Sequence, residues 1–116
     1  MMFNNINKNK KFAFIYGLKH PDTGKIIYVG KTFNPIQRYI QHSYCKQTSK
    51  ISRLWGKLKE DGKNMVLYIF EMIENKGKEY VKDKERYWIK QMVESGCILL
   101  NKVYPNASNP NKSHSL

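Results

Sequence analysis

Six side chains stand out for the chemistry they could do together: Tyr16, Tyr28, Lys31, Arg38, His42 and Glu85. Arg38 offers a planar fork that donates two hydrogen bonds and stays charged at any working pH, which suits charge developing on a phosphoryl group. His42 follows four residues later, so on a helix it shares a face with Arg38 and could orient a tyrosine or donate to a phosphate oxygen. A tyrosine phenol has a pKa near 10 and is a poor base at neutral pH unless nearby cations lower it; Lys31, His42 and a bound metal ion are candidates for doing so. Glu85 falls on the same helical stripe as Val81, Trp88, Ile89 and Met92. A carboxylate aimed at a core must be paired or must hold a metal, because burying it alone is too costly. The residues alone leave level a metal role and an internal ion pair with Arg38 or Lys31.

The elements that must position these groups follow from periodicity. Phe12, Phe14 and Tyr16 alternate along one run, and Ile26, Tyr28 and Gly30 along a second. Each set therefore occupies one face of a strand. Pro21-Asp22-Thr23-Gly24 between them predicts an antiparallel hairpin over about 11–31. Ala13, Ile15, Ile27 and Val29 make the second face apolar as well, so the sheet requires cover on both sides. Asn34-Pro35 reads as a helix N-cap with proline at the first helical position. That helix is expected over 35–45 with Ile36, Tyr39, Ile40 and Ser43 buried. A second helix after the N-cap Ser49 carries Ile51, Leu54, Trp55 and Leu58 as a core stripe, with Lys50, Arg53, Lys57 and Lys59 outside. Residues 65–73 are apolar on both faces and predict a third strand, central or well covered. A long third helix should run to about Glu94, with Gly96 in the left-handed region beyond it. Residues 97–104 return as a short extended segment.

Length and charge narrow the class. A chain of 116 residues holds one core, flanked here by a basic arm over 1–10 and a Pro/Asn-rich tail over 105–116 that is expected to be disordered. No run approaches the roughly 20 apolar residues of a membrane span, and the start lacks the apolar core of a secretory signal, so the expected location is intracellular and no membrane is involved. Cys45 and Cys97 are too few for a disulfide framework or a zinc site and read as reduced thiols. The net charge is +12, and it is unevenly placed. Residues 1–59 hold twelve Lys or Arg against one acid, whereas residues 60–116 hold nine against eight. A polyanion is the natural partner for the first half, since neutralising phosphates releases condensed counterions. The exposed cations Lys50, Arg53 and Lys57, together with Lys31, are the candidate nucleic-acid contacts.

The segments Phe14-Ile15-Tyr16 and Tyr28-Val29-Gly30, followed by Lys31, Arg38, His42, Glu85 and Asn101, resemble the signature of the GIY-YIG nuclease superfamily. Homing endonucleases, some restriction enzymes and the nuclease half of bacterial excision-repair proteins belong to that group. The likeness spans roughly 11–102 and departs at Phe14, where the family's first glycine stands. The resemblance implies an α/β (α+β) fold, a three-stranded antiparallel sheet flanked by helices. It also implies that Tyr16 is the general base, that Tyr28 positions water or the scissile phosphate, that Glu85 holds one Mg²⁺ or Mn²⁺, and that Asn101 clamps the backbone at the site with Gly30 as a structural residue.

The reading that results is a metal-dependent endonuclease acting on DNA. A module that binds nucleic acid for a larger complex without cutting it, and a small basic structural protein, are the rivals. The first has no chemical need for the full polar set, and the second none for an acid on a buried stripe. Besides DNA, a chain this short invites two kinds of partner: a second copy pairing transiently on the substrate, and a separate targeting protein.

Overall fold

The computed structural model describes residues 10–44 and 49–101. Strands β1 (Phe12–Lys19) and β2 (Ile26–Thr32) form the hairpin, closed by hydrogen bonds from the His20 amide to the Lys25 carbonyl (2.9 Å) and from the Gly24 amide to the His20 carbonyl (2.9 Å). Gly24 takes a φ of 73°, which the turn needs and a side chain would resist. Helices α1 (Pro35–Ser43) and α2 (Lys50–Glu60) follow, then strand β3 (Val66–Glu74) and helix α3 (Lys78–Glu94). The N-caps act as the sequence predicts: the Asn34 side chain accepts from the Gln37 amide and the Ser49 hydroxyl from the Ser52 amide. Gly96, at φ 100°, ends α3, and the Cys97 amide returns to the Met92 carbonyl at 2.9 Å.

The sheet is antiparallel with the order β2-β1-β3, so β1 is central. Five of its residues, Ala13, Ile15, Tyr16, Gly17 and Leu18, are buried. One face packs under α3, where Ala13, Ile15, Val29 and Ile73 meet Val81 and Ile89. The other packs under α1 and α2, where Tyr16 and Leu18 meet Ile51, Trp55 and Leu58. Covering both faces is what the two-sided apolar pattern of the hairpin requires.

Two expectations are corrected. β3 is not central but an edge, with Val66, Tyr68, Ile69 and Met72 exposed. An unbroken apolar run shows that a strand has two apolar faces but not which neighbours it has, and here β1 is already taken on one side by its hairpin partner. The opposite edge, β2, is met by 97–101: the Leu100 amide donates to the Ile27 carbonyl at 2.7 Å. Second, α1 buries a different stripe. Ile36 and Ile40 are exposed, while Arg38, Tyr39, His42 and Ser43 are half-buried. The helix is rotated by polar anchors: the Tyr39 hydroxyl donates to the Met65 carbonyl at 2.7 Å, and its ring meets Trp55 edge to face. α1 ends at Ser43, and Cys45 lies outside the described residues, as do residues 1–9 of the basic arm, 102–104 and the tail.

Two glycines give opposite expectations. A Cβ at Gly56, inside α2, meets nothing within 4 Å, so Gly56→Ala should raise unfolding free energy by about 0.5–1 kcal/mol through helix propensity. A Cβ at Gly30 would stand 2.7 Å from the Tyr16 ring and hydroxyl. Gly30→Ala should therefore cost about 1–3 kcal/mol, the range for overpacking a filled site. Urea unfolding of both variants checks the pair, and equal effects would contradict the packing described.

Candidate active site

Tyr16 lies directly opposite Gly30 in the β1–β2 register, and the missing side chain at Gly30 gives its ring room to lie across the strand. The β1–β3 ladder shifts register between Ile15 and Tyr16. Such a shift bends and twists a strand locally and is a common way to aim a side chain. Tyr28, two residues before Gly30, lies on the same face, with its ring centroid 6.1 Å from that of Tyr16. From above, α1 lowers His42 between them. The Tyr16 hydroxyl and His42 Nε2 are 2.8 Å apart, and the Tyr28 ring meets the His42 ring edge to face at 5.1 Å.

The chain's own cations do not lower the two phenols. Burial pushes the Tyr16 phenol up, beyond the ordinary tyrosine range, and the neighbouring Tyr28 adds to the rise; Arg38, within hydrogen-bonding reach, pulls it back only in part. Burial raises Tyr28 too, against the pull of Arg38 and with a further push from Glu85. Burial, and after it the Arg38 charge, together lower His42 to about 4. A neutral imidazole supplies no cation to activate a phenol, and Lys31 faces Glu85 instead. At neutral pH this is a protonated tyrosine against a neutral histidine. With the phenol protonated and the imidazole neutral, the 2.8 Å contact suits the Tyr16 hydroxyl donating to His42 Nε2 when the ring carries its proton on Nδ1.

Trp55 completes the pocket behind His42. Its ring stacks on the imidazole at 6.3 Å with an 18° interplanar angle, it is fully buried, and its Nε1 donates to Asn64 Oδ1 at 3.0 Å. The sequence marks Trp55 only as a core position of α2; no spacing rule connects it to a residue on another helix.

Glu85 comes from α3, on the other side of the sheet. Its side chain is 14% exposed, and its Oε1 lies 3.4 Å from Lys31 Nζ. This is longer than a tight charge-assisted hydrogen bond. Among the described residues no group of three or more His, Cys, Asp or Glu gathers to cage an ion. A lone, largely buried carboxylate with a loosely held counter-ion fits a hard divalent cation that keeps most of its waters, and does not fit zinc.

Asn101 clamps the β2 edge from outside. Its Oδ1 accepts from the Val29 amide at 3.1 Å and its Nδ2 donates to the Val29 carbonyl at 2.7 Å, so the side chain acts as one more strand residue beside Tyr28 and Gly30. Lys50, Arg53 and Lys57 are exposed on α2, on the side away from Trp55, and are not brought into this cluster.

A family model of the GIY-YIG catalytic domain matches residues 12–94, well over half of the chain and all of the cluster except Asn101. The chain belongs to the GIY-YIG family. That places it among nucleases, which generally cut DNA with the help of divalent metal ions. No curated protein and no solved structure matches it. Among the described residues, no helix is long and apolar enough to cross a membrane.

The buried histidine of this GIY-YIG domain should leave a mark on stability. Its folded pKa, about 4, lies below the ordinary value of 6.5. Between those limits the unfolded chain binds a proton that the folded chain does not, so this contribution is complete above about pH 6.5 and is lost as pH falls toward 4. Thermal unfolding from pH 7 to pH 4 should show that fall, and His42→Asn should remove part of it. An unchanged pH dependence in the variant would mean that His42 is not held neutral.

Proposed function

We infer that this chain is a metal-dependent endonuclease that hydrolyses DNA phosphodiester bonds. The observation that carries the reading is the Tyr16–His42 pair beside Arg38, with a single carboxylate, Glu85, near enough to be felt at Tyr28. Water is the nucleophile. As its oxygen forms a bond to phosphorus, its proton passes to the Tyr16 oxygen while the Tyr16 proton passes to His42 Nε2, so no free phenolate has to form. This relay keeps Tyr16 as the group that takes the water proton and explains why a phenol of raised pKa is no obstacle. It requires His42 to start neutral, which burial against Trp55 favours.

Arg38 binds two oxygens of the phosphate as charge builds on them. Tyr28 positions the water or the phosphate. The P–O3′ bond breaks and the departing 3′ oxygen takes a proton from solvent, leaving a 3′ hydroxyl and a 5′ phosphate. Glu85 is the residue that would hold Mg²⁺ or Mn²⁺; when bound, such an ion supplies Lewis-acid stabilisation of the phosphate and the departing oxygen. With Glu85 engaged by a metal, Lys31 would be free to meet a phosphate of the substrate.

Supercoiled plasmid with Mg²⁺ or with EDTA tests this reading. Cleavage should require the metal, and Glu85→Gln should abolish it while DNA binding survives. Tyr16→Phe should slow cleavage by at least ~10²-fold, the lower range for a positioned acid–base group. Full activity in EDTA would contradict the metal role. Binding without any cleavage by the native chain would favour the non-catalytic nucleic-acid module.

Lys50, Arg53 and Lys57 fit a sequence-independent phosphate contact. Replacing all three with Gln should weaken binding to every duplex alike and flatten the salt dependence by up to ~3 units, about one per lost contact. A change confined to one base sequence would mean that α2 reads bases.

A further inference from the structure

Two hollows lie side by side beyond Arg38. The first, about 590 Å³, lies between the end of β2 and the first turns of α3. Arg38 and Lys31 line it on the side of the catalytic cluster, and Lys78 lines it from α3. Ala13 and Val81 give it an apolar floor, and Phe33, 43% exposed, stands at its wall. The second, about 480 Å³, is lined by Lys10, Lys11 and Lys76, with Phe12 45% exposed beside them. Asn75 lines both.

Asn75 also holds two lysines of the second hollow in place. Its amide donates to the Lys11 carbonyl at 2.8 Å and its Nδ2 to the Lys10 carbonyl at 3.1 Å, which ties these lysines to the loop between β3 and α3. Among the described residues lining the two hollows, Glu74 is the one acid, and it stands 3.9 Å from Lys76. The Lys10 ammonium lies 5.7 Å from the centroid of the Phe33 ring. That ring face is thus already serving a cation, as an exposed aromatic does when no flat partner covers it.

We propose that the two hollows are a track for an unpaired DNA strand, which runs on from the scissile phosphate at Arg38 and rests one base on Phe33 and the next on Phe12. Phosphate contact alone would need the lysines but neither an apolar floor nor two exposed rings. A duplex cannot use those rings, because its bases are stacked and paired inside the helix. A cationic groove with aromatic faces along it is the arrangement that holds single strands, since every base has a face to stack and the phosphates alternate with the bases. Lys10 leaves the Phe33 ring when a base arrives and meets the phosphate between the two stacked bases. The enzyme therefore prefers DNA that is unpaired on one side of the cut: a single strand, a flap or a gap.

The proposal rests on the nuclease reading only in taking Arg38 as the place of the scissile phosphate, and binding can test it without turnover. With the full chain in EDTA, fluorescence anisotropy should show tighter binding to a labelled 15-mer of thymidylate than to a blunt 15-base-pair duplex at the same salt. Phe33→Leu keeps the apolar volume but loses the aromatic face. It should weaken single-strand binding by about fivefold or more, in line with the loss of one base-stacking platform, and leave duplex binding within twofold. Lys78→Gln should lower the salt dependence of single-strand binding by about one unit. Equal affinity for the two DNAs, or a Phe33→Leu variant that loses both alike or neither, would overturn the proposal while leaving plasmid cleavage to decide the nuclease reading. A chain that cleaves nothing but keeps a Phe33-dependent preference would overturn the nuclease reading and leave the track standing.

Discussion

The Tyr16 side chain is the constraint to which the rest of this domain is fitted. A phenol that is 1% exposed in the middle of a sheet needs a partner for its hydroxyl and room for its ring. His42 Nε2 supplies the first at 2.8 Å and Gly30 the second. To bring His42 down, α1 has to turn its polar side inward, and this leaves Ile36 and Ile40 in solvent. Loss of their burial is a cost, offset by the Tyr39 bond to the Met65 carbonyl and by the aromatic packing of Tyr39 and His42 on Trp55. Trp55 in turn is held by Asn64, just before β3. One hydrogen bond at the centre thus sets the rotation of a helix and the role of a tryptophan on the next.

The charge of the chain and the chemistry of its centre obey different rules. With a net charge of +12, the surface is built to meet a polyanion. Inside, burial outweighs the nearby charge: Arg38 is too weak an influence to bring either tyrosine back to its ordinary range, and it acts together with burial to keep His42 neutral. The proposed coupled transfer, in which the phenol gains one proton as it gives another to the imidazole, fits a raised tyrosine beside a lowered histidine.

Local signals in the sequence are legible where one residue settles the geometry. Gly24 marks the hairpin turn, Asn34 and Ser49 the helix starts, Gly96 the end of α3, and each stands where its backbone preference places it. The α2 stripe is equally plain, since Ile51, Trp55 and Leu58 are all buried. What resists reading is non-local. The apolar run of β3 has the composition of an inner strand, yet the sheet order puts it at an edge, because strand order depends on which edges are already taken. The hydrophobicity of Ile36 and Ile40 points inward, yet the hydrogen bonds of Tyr39 and His42 decide the rotation. Glu85 is legible as an anomaly, an acid on an apolar stripe, but its nearness to Lys31 rather than Arg38 depends on Lys31 sharing the α3 face with Ile15 and Val29. The contact of Trp55 with His42 has no signature at all in the chain.

The tautomer of His42 tests the central claim most directly. Long-range ¹H–¹⁵N correlation of the imidazole at pH 6 should show a neutral ring with the proton on Nδ1 and Nε2 accepting, and Tyr16→Phe should shift the Nε2 resonance toward that of a free acceptor. An imidazolium at pH 6, or a proton on Nε2, would contradict the account, because the histidine could then take nothing from Tyr16.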